Sequence, residues 1–204
     1  MNPRFDISGA IGDDNATGAA VGAWLDANPG PVDVFINSYG GIATEGAAIF
    51  AALERHGKAT AHVQGIAASA ASLAMLGAKV VMIHEAALVM IHEPGAMAFG
   101  TAGELRSTAD TLDKLSGVYA AIYARTTGNR VDRVASWMAA ETWLTASEAV
   151  ALHFADALSG AQAAAPVASF DYARFKSAPA QLVALALANG WATASPEQSA
   201  KDKK

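Results

Sequence analysis

The stretch VDVFINSYGGIATEGAAIFAALERHGKATAHVQGIAAS, from Val32 to Ser69, holds the unit that decides the fold. It opens with an apolar run that ends in two glycines, as a buried strand leading into a tight turn does. Ile49, Phe50 and Leu53 then recur at helical spacing. Gly57 follows at a position typical of a helix C-cap, and ATAHVQGIA returns to a strand pattern. The unit is predicted as strand, helix and strand, which favours a parallel pair joined by a crossover.

The sequence on either side continues this alternation. RFDISGAIG (4–12) alternates as a strand, and DDNATGAAVGAWLDANPG supplies capping residues and a helix that Asn28-Pro29-Gly30 would stop. A further helix is predicted just after Ser69, followed by two paired strands that carry the repeat VMIHEAALVMIHEP. One long helix is predicted from about Thr101 to Arg125, because its apolar residues recur at three and four residues. The chain is therefore predicted to be α/β with crossover connections.

The charge, hydropathy and cysteine content of the chain argue against several classes of function. The 204 residues are 52% hydrophobic and 16% charged, and the net charge of −5 offers no basic stripe for a phosphate backbone, so nucleic-acid binding is not expected. The apolar window from Val63 to Ala78 is cut by Lys79 before the ~20 residues that cross a bilayer. We expect no membrane attachment, no secretory signal and an intracellular location. The absence of cysteine excludes disulfides, thiol catalysis and Cys-based zinc sites.

Two small-residue segments could take part in acyl transfer. INSYGG (36–41) ends in glycines that let the backbone approach a ligand closely and present N–H groups, although such a pair most often marks a simple turn. GIAASAAS (65–72) places Ser69 at a predicted strand-to-helix junction. Ser69 is either a nucleophile beside free helical N–H groups or an ordinary N-cap. Ser72 is a rival nucleophile, but one turn inside the helix its hydroxyl is expected to bond the backbone.

The repeated MIHE raises a third candidate. A serine nucleophile needs a base of near-neutral pKa, which histidine supplies, whereas a lone histidine on an apolar strand is more often a satisfied core residue. His84 and His92 are each followed by glutamate, yet neither makes the H-E-x-x-H pattern of a zinc site. No metal and no cofactor are predicted.

INSYGG, GIAASAAS, MIHEP and ETWLTASEAVALHFADAL, in this order and with these gaps, resemble the proteolytic subunit of the Clp protease (ClpP). The closest resemblance is to the ClpP-related head maturation proteases of tailed phages and prophages. It covers about Phe5 to Leu158. It implies a ClpP/crotonase-like spiral of βαβ units with a protruding handle helix. A crotonase-type acyl-CoA enzyme shares this architecture, but membership of that class would not explain why both Ser69 and His92 are present in their motifs.

The resemblance assigns roles to individual residues. Ser69 is implied as the nucleophile and His92 as the general base, because Pro94 follows only the second copy of the repeat. The backbone N–H groups of Gly41 and Ala70 are implied as the oxyanion hole. Glu141 stands where ClpP has its triad aspartate.

Other readings of these positions stay open. Glu141 is alternatively a solvated helix-capping residue, with Asp110, Asp113 and Asp132 as substitute acids. His84 is expected to be structural, and Tyr39 replaces a proline that is usual in ClpP. A Ser/Lys peptidase would need Lys79, which is expected to mark a helix end.

The resemblance also implies partners. Family members form rings, of seven or stacked as fourteen, in which the long helix lies between subunits and the GAMAFG segment forms an extended strand along the substrate channel. Because the chain enters its first strand almost at once, docking to a Clp ATPase is less expected than phage scaffold and capsid substrates. The expected location is the bacterial cytoplasm or the phage procapsid. A catalytically inactive assembly factor with the same fold is the alternative of a different class.

Two segments are predicted along the chain. Residues 1–158 are predicted as the protease domain. Residues 159–204 are predicted as an Ala/Pro-rich linker, a short helix from about Gln181 to Asn189 and a disordered polar tail. This C-terminal segment either contacts scaffold protein or is a simple tail.

Overall fold

The computed structural model describes residues 1–160 and 167–192. Its contacts divide the chain into two units, Met1–Ala168 and Ser169–Lys204. In the described part of the chain, the larger unit holds a seven-stranded sheet with helices. Its strands are β1 (Arg4–Ile11), β2 (Val32–Gly41), β3 (Ala59–Ala68), β4 (Val80–His84), β5 (Leu88–Ile91), β6 (Thr142–Thr145) and β7 (Ala157–Ser159). Its helices are α1 (Gly18–Ala27), α2 (Ala43–His56), α3 (Ala70–Met75), α4 (Ala102–Thr127), α5 (Val131–Ala140) and α6 (Ala146–Ala151).

The first four strands lie side by side in chain order, and all of their pairings are parallel. Each of the three connections between them carries a helix, since α1, α2 and α3 alternate with these strands. A parallel pair needs such a crossover, and crossovers of this kind are right-handed. The repeated βαβ step brings the carboxyl ends of β2 and β3, with their glycine and serine turns, to the same edge of the sheet.

Local sequence signals account for the helix ends. Thr17 caps α1 by accepting the N–H of Ala20 at 3.1 Å. Gly57 ends α2 in the left-handed conformation at φ 69°, which glycine adopts without steric cost. Thr101 and Glu104 form a capping box at the start of α4.

The core lies between the parallel strands and the first helices. Val34 and Ile36 of β2 are fully buried, as are Ile49 and Leu53 of α2. Alternation along β2 sends the intervening residues to the other, half-buried face of the sheet. Burial of this apolar surface is the main favourable contribution to the fold.

The predicted pairing of the two repeat strands is wrong. β4 pairs with residues 60–63 of β3, whereas β5 pairs with residues 66–68 of the same strand and with β6. β3 is long enough to hold both strands one after the other, with a turn closed by the N–H of Ala87 on the carbonyl of His84 at 2.8 Å. Because both copies run parallel to β3, they cannot form a hairpin with each other.

The long predicted helix is present as α4, but its apolar residues are not all core. Only its last third contributes buried side chains, among them Tyr119 and Tyr123, whereas Leu105 and Val118 are exposed. The GAMAFG segment before it (95–100) lies on the surface and forms no strand within the described residues, in contrast to the expectation. None of the helices among residues 1–160 and 167–192 has the length and apolar character to cross a membrane.

The smaller unit contains a 3-10 helix (Tyr172–Arg174) and helix α7 (Ala180–Ala188). The bounds of α7 differ by one residue at each end from those of the short helix predicted from the sequence. Three aromatic rings, Phe170, Tyr172 and Phe175, pack together with centroids 5.4–6.4 Å apart. Most of the predicted Ala/Pro-rich linker (161–166) and the predicted polar tail (193–204) lie outside the described residues. The boundary at residue 158 stays a prediction.

Candidate active site

Ser69 occupies the sharp turn between β3 and α3. Its backbone has φ 55° and ψ −125°, a conformation that side-chain-bearing residues adopt rarely and that places strain at this residue. The N–H of Ser69 donates to the carbonyl of Met90 at 2.9 Å, which ties the turn to β5. The Ser69 side chain makes no capping bond to α3, so the N-cap interpretation of its hydroxyl is wrong.

The Ser69 hydroxyl instead contacts His92, with 2.7 Å between Oγ and Nε2. When Nδ1 carries the ring proton, Nε2 accepts a hydrogen bond from this hydroxyl, which is the arrangement a general base requires. Burial lowers the pKa of His92 from its ordinary value of 6.5, while the charges of Glu141 and Glu93 act in the opposite direction. The net lowering favours the neutral, proton-accepting form of the ring near neutral pH.

Glu141 reaches His92 through the pairing of β5 and β6. These strands are antiparallel, with Met90 opposite Trp143 and Ile91 opposite Thr142. His92 directly follows β5 and Glu141 directly precedes β6, so both residues lie at the same end of this ladder, next to the last pair, Ile91 opposite Thr142. The electrostatic effect of Glu141 on the pKa of His92 agrees with this proximity.

The surroundings of Glu141 differ from those of a solvated cap. Glu141 does end α5, at φ 54°, but only 8% of its surface is exposed. Trp143 donates its Nε1–H to a Glu141 carboxylate oxygen at 3.3 Å. The solvated interpretation is therefore wrong, although the capping position is correct.

The substitute acids lie elsewhere. Asp110 and Asp113 are exposed on α4. Asp132 is an exposed residue of α5 that forms an ion pair with Arg130 at 2.8 Å.

The last two residues of β2 are glycines, and the turn that they make lies directly against the nucleophile. A Cβ on Gly40, at φ 97°, would stand 2.5 Å from the Cβ of Ser69 and 2.7 Å from the carbonyl oxygen of Ala68. Gly41 is equally constrained, because a Cβ there would lie 2.2 Å from the carbonyl oxygen of Ile11. Only glycine fits at both positions, and the turn brings the backbone next to the Ser69 side chain.

Amide groups are therefore available beside the nucleophile. The N–H of Ala70, directly after Ser69, belongs to the first turn of α3, whose N–H groups have no acceptor within the helix. The Ser38 hydroxyl accepts the N–H of Gly40 at 3.1 Å and donates to the carbonyl of Gly9 at 2.6 Å, which fixes the turn that carries Gly41. Sequence analysis singled out the glycine pair that contains Gly40 but missed Ser38, whose role is not visible without the neighbouring strand.

Two further hydrogen bonds support the backbone of Ser69. Ser72 donates its hydroxyl to the carbonyl of Ser69 at 2.7 Å, as expected for a serine one turn inside a helix. Its hydroxyl has one proton, so the Tyr123 hydroxyl at 2.8 Å acts as donor to Ser72. Burial raises the pKa of Tyr123, which keeps this phenol protonated. Sequence analysis missed Tyr123, which lies 51 residues from Ser72 in the chain.

His84 has different surroundings from its repeat partner. It ends β4 opposite Ser159 of β7, is 8% exposed, and accepts the N–H of Ala86 on Nδ1 at 3.1 Å. These contacts are those of a structural histidine. Residues 1–160 and 167–192 contain no group of three or more His, Asp or Glu side chains placed to hold a metal ion.

A small cavity opens beside the Ser69 and His92 side chains. Its remaining lining residues come from the start of α2, from the segment after β5 and from α3 and α4: Ala43, Ala70, Leu73, Pro94, Tyr119 and Tyr123. The cavity places an apolar wall next to the serine hydroxyl.

Solved structures share this fold. A ClpP1 mutant from Listeria monocytogenes superposes with a TM-score of 0.66 at 21% sequence identity, covering 78% of this chain and 92% of that chain. The similarity confirms the predicted ClpP-like α/β fold.

Sequence comparison identifies the family. An ATP-dependent Clp protease proteolytic subunit from Pleurastrum terricola is 31% identical over 121 residues. The match covers 57% of this chain and 61% of that protein, so the chain spans less than two thirds of its relative's length. The family model described as Clp protease matches residues 23–161, which is more than half of the chain. The chain belongs to the Clp protease family.

Proposed function

We propose that this protein is a serine endopeptidase in which Ser69 is the nucleophile, His92 the general base and Glu141 the acid that orients His92. The observation that carries the proposal is the 2.7 Å contact between Ser69 Oγ and His92 Nε2. The strained Ser69 backbone and the buried Glu141 carboxylate, whose charge acts on His92, support it. Membership of the Clp protease family makes peptide hydrolysis the expected chemistry.

The proposed reaction has two acyl-transfer steps. His92 Nε2 takes the proton of Ser69 as Oγ attacks the scissile carbonyl, and the N–H groups of Gly41 and Ala70 stabilise the oxyanion. His92 then returns the proton to the leaving amine, which releases the C-terminal fragment. Water, deprotonated by His92, attacks the acyl-enzyme, and the carboxylic product leaves as Ser69 regains its proton. Glu141 stabilises the imidazolium that forms in both steps.

The proposed biological role is head maturation, with phage scaffold and capsid proteins as substrates. It is supported by the resemblance of the ordered motifs to phage-encoded ClpP relatives. The oligomer is proposed to be a homo-oligomeric ring of seven or fourteen subunits, in which α4 lies between neighbours. The largely exposed first part of α4, with Leu105 at 43% exposure, supports a role in assembly.

Two other roles remain as alternatives. The similarity to the ATP-dependent Clp protease proteolytic subunit of Pleurastrum terricola favours a proteolytic subunit that works with an ATPase. A catalytically inactive assembly factor would have the same fold, but the contact between Ser69 and His92 gives it no support.

Fluorophosphonate labelling tests the proposed chemistry. The wild-type protein should form one covalent adduct, located on Ser69 by peptide mass spectrometry, and should cleave an unfolded protein substrate. Ser69→Ala should do neither. Ser136→Ala is the control, because this exposed serine on α5 bonds only its own helix backbone in the described contacts. Absence of both labelling and cleavage in the folded, assembled wild type would contradict the proposal.

A second experiment separates the proposed roles. The protein is co-expressed with a phage scaffold protein and a phage capsid protein, or is mixed with a Clp ATPase and ATP. Cleavage of scaffold or capsid protein without ATP is expected. An active enzyme that leaves both proteins intact, or that degrades folded protein only with ATPase and ATP, would contradict the maturation role.

A further inference from the structure

Ser72 and Tyr123 are buried polar residues that the proposed mechanism does not use. Ser72 is fully buried, and Tyr123 is only 3% exposed. The Tyr123 hydroxyl donates to Ser72 Oγ at 2.8 Å, and the Ser72 hydroxyl donates to the carbonyl oxygen of Ser69 at 2.7 Å. Tyr119, one turn earlier on α4, has a buried hydroxyl with no hydrogen-bond partner among the described residues. Of these two tyrosines, Tyr123 is the one bonded to the turn that carries the nucleophile.

The two bonds end on the peptide group that joins Ser69 to Ala70. The carbonyl oxygen of this group accepts the Ser72 hydroxyl, and its N–H is one of the two donors proposed to stabilise the oxyanion. The described residues contain no cis peptide bond, so this group is trans and its C=O and N–H point in opposite directions. Bonds to the carbonyl oxygen therefore fix the direction in which the Ala70 N–H points.

The backbone bonds to this carbonyl oxygen are longer than the side-chain bond. The oxygen accepts the N–H of Ser72 at 3.0 Å and that of Leu73 at 3.4 Å, both from a helix of only six residues. Ser69 has the strained φ of 55°, a conformation that persists only where surrounding contacts enforce it. The Ser72 hydroxyl supplies such a contact, and Tyr123 ties that hydroxyl to α4.

A chain of hydrogen bonds also strengthens its last member. Each donor polarises the next group, so Tyr123 makes Ser72 a better donor, and Ser72 makes the Ala70 N–H more positive. Both side chains are buried, and a low local dielectric increases such effects. Burial also raises the pKa of Tyr123, so the phenol keeps the proton with which the chain begins.

We propose that Ser72 and Tyr123 are positioning residues of the oxyanion hole. Through the Ser69 carbonyl they fix and polarise the Ala70 N–H, which receives the negative charge that develops on the attacked carbonyl oxygen. Both residues act through this peptide group and not on the reacting atoms. The positioning role rests on the proposed peptidase function.

The expected loss of rate follows from the number of bonds removed. Deletion of an oxyanion donor lowers kcat by about 10²–10³. Each bond of a chain strengthens the next by about 10–30%, so loss of one bond should lower kcat about two- to eightfold. We expect Tyr123→Phe, which removes one bond, to lower kcat about threefold. Ser72→Ala, which removes both, should lower kcat about tenfold and leave KM within about twofold of the wild-type value.

The double variant separates positioning from stability. Ser72→Ala leaves the Tyr123 hydroxyl without this partner and should lower Tm by about 4 °C. Ser72→Ala/Tyr123→Phe removes both polar partners, so most of this loss of Tm should be recovered. Its kcat should stay about tenfold below the wild type, because the chain is still absent. Recovery of kcat together with Tm would show an effect on stability alone, and a kcat about 30-fold below the wild type would show independent effects. Either result would overturn the positioning role.

A transition-state analogue provides a second measurement. Ser69 Oγ adds to the boron of a peptide boronic acid while His92 takes the hydroxyl proton, and the tetrahedral adduct places an oxygen where the oxyanion forms. Its Ki should rise about tenfold in Ser72→Ala, in parallel with the fall in kcat. The acid limb of the pH profile should keep its position, because the base is unaltered. An unchanged Ki, or a shifted acid limb, would contradict an action on the oxyanion hole.

Thr17→Ala is the control for a general loss of stability. It also removes one hydroxyl, the N-cap of α1, and should lower Tm by about as much as Ser72→Ala. Neither kcat nor the boronate Ki should change in Thr17→Ala. If both change as they do in Ser72→Ala, the rate reports stability and the positioning role is wrong.

The outcomes separate the positioning role from the proposed function. If the wild type is labelled at Ser69 and cleaves an unfolded protein, but Ser72→Ala keeps kcat within about twofold, the positioning role is wrong and the peptidase assignment stands. If the assembled wild type is neither labelled nor active on any peptide or unfolded protein, the peptidase assignment fails and the positioning role fails with it.

Discussion

Substitution of Gly40 by alanine should disable the nucleophile more than it destabilises the fold. The new Cβ would lie 2.5 Å from the Cβ of Ser69, and restoring an ordinary 3.4 Å contact requires a relative movement of ~0.9 Å. A misplacement of about 1 Å in a catalytic group costs about 100-fold in rate. The positive φ of 97° adds a strain of about 1–3 kcal/mol. We therefore expect a roughly 100-fold slower reaction of Ser69 in a protein that still folds.

The matched control is Gly57→Ala. Gly57 also has positive φ, 69°, but a Cβ there meets only the carbonyl oxygen of Glu54, at 3.9 Å. It should lose about 1 kcal/mol of unfolding free energy and no activity. The assay is the second-order rate of fluorophosphonate labelling, with urea unfolding of the same samples. If Gly40→Ala stays folded and is labelled within about threefold of the wild-type rate, the contact with Gly40 does not position Ser69.

Two further substitutions test the proposed triad. His92→Ala should abolish labelling and peptide cleavage while His84→Ala keeps both, and the reverse result would show that the wrong copy of the repeat has been assigned. Glu141→Gln should lower kcat/KM by about 10²–10⁴. It should also move the acid limb of the pH profile to lower pH. The base acts when neutral, and the Glu141 charge, which raises the pKa of His92 against the lowering by burial, is lost. An unchanged pH profile would show that Glu141 does not act on His92.

Much of the fold could be predicted because its signals are local. The cap at Thr17, the left-handed Gly57 and the capping box at Thr101 each depend on a few adjacent residues, and the elements beside them have the expected positions. The pairing of β4 and β5 with different parts of β3 could not be predicted, because the repeat gives both strands the same letters. Pairing partners depend on strand length and on elements far away in the chain.

The candidate site likewise contains some features that could be predicted from the sequence and some that could not. The order of the motifs pointed to Ser69 and His92, which the structure brings within 2.7 Å of each other. The supporting bond from Tyr123 to Ser72 and the unpaired hydroxyl of Tyr119 were not predicted, because both depend on where α4 packs. The spacing of apolar residues along α4 predicted a larger buried face than the helix has, since Leu105 and Val118 are exposed in the single chain.

The antiparallel register of β5 and β6 has a consequence for insertions and deletions. His92 directly follows β5 and Glu141 directly precedes β6, and four residue pairs hold these strands together, from Leu88 opposite Thr145 to Ile91 opposite Thr142. The 48 residues between them, which include α4 and α5, do not set their separation. The outer part of α4 can therefore change in length by whole helical turns without moving the base from its acid. A single residue added within β6 would shift the register of that strand against β5 and so displace Glu141, which directly precedes it.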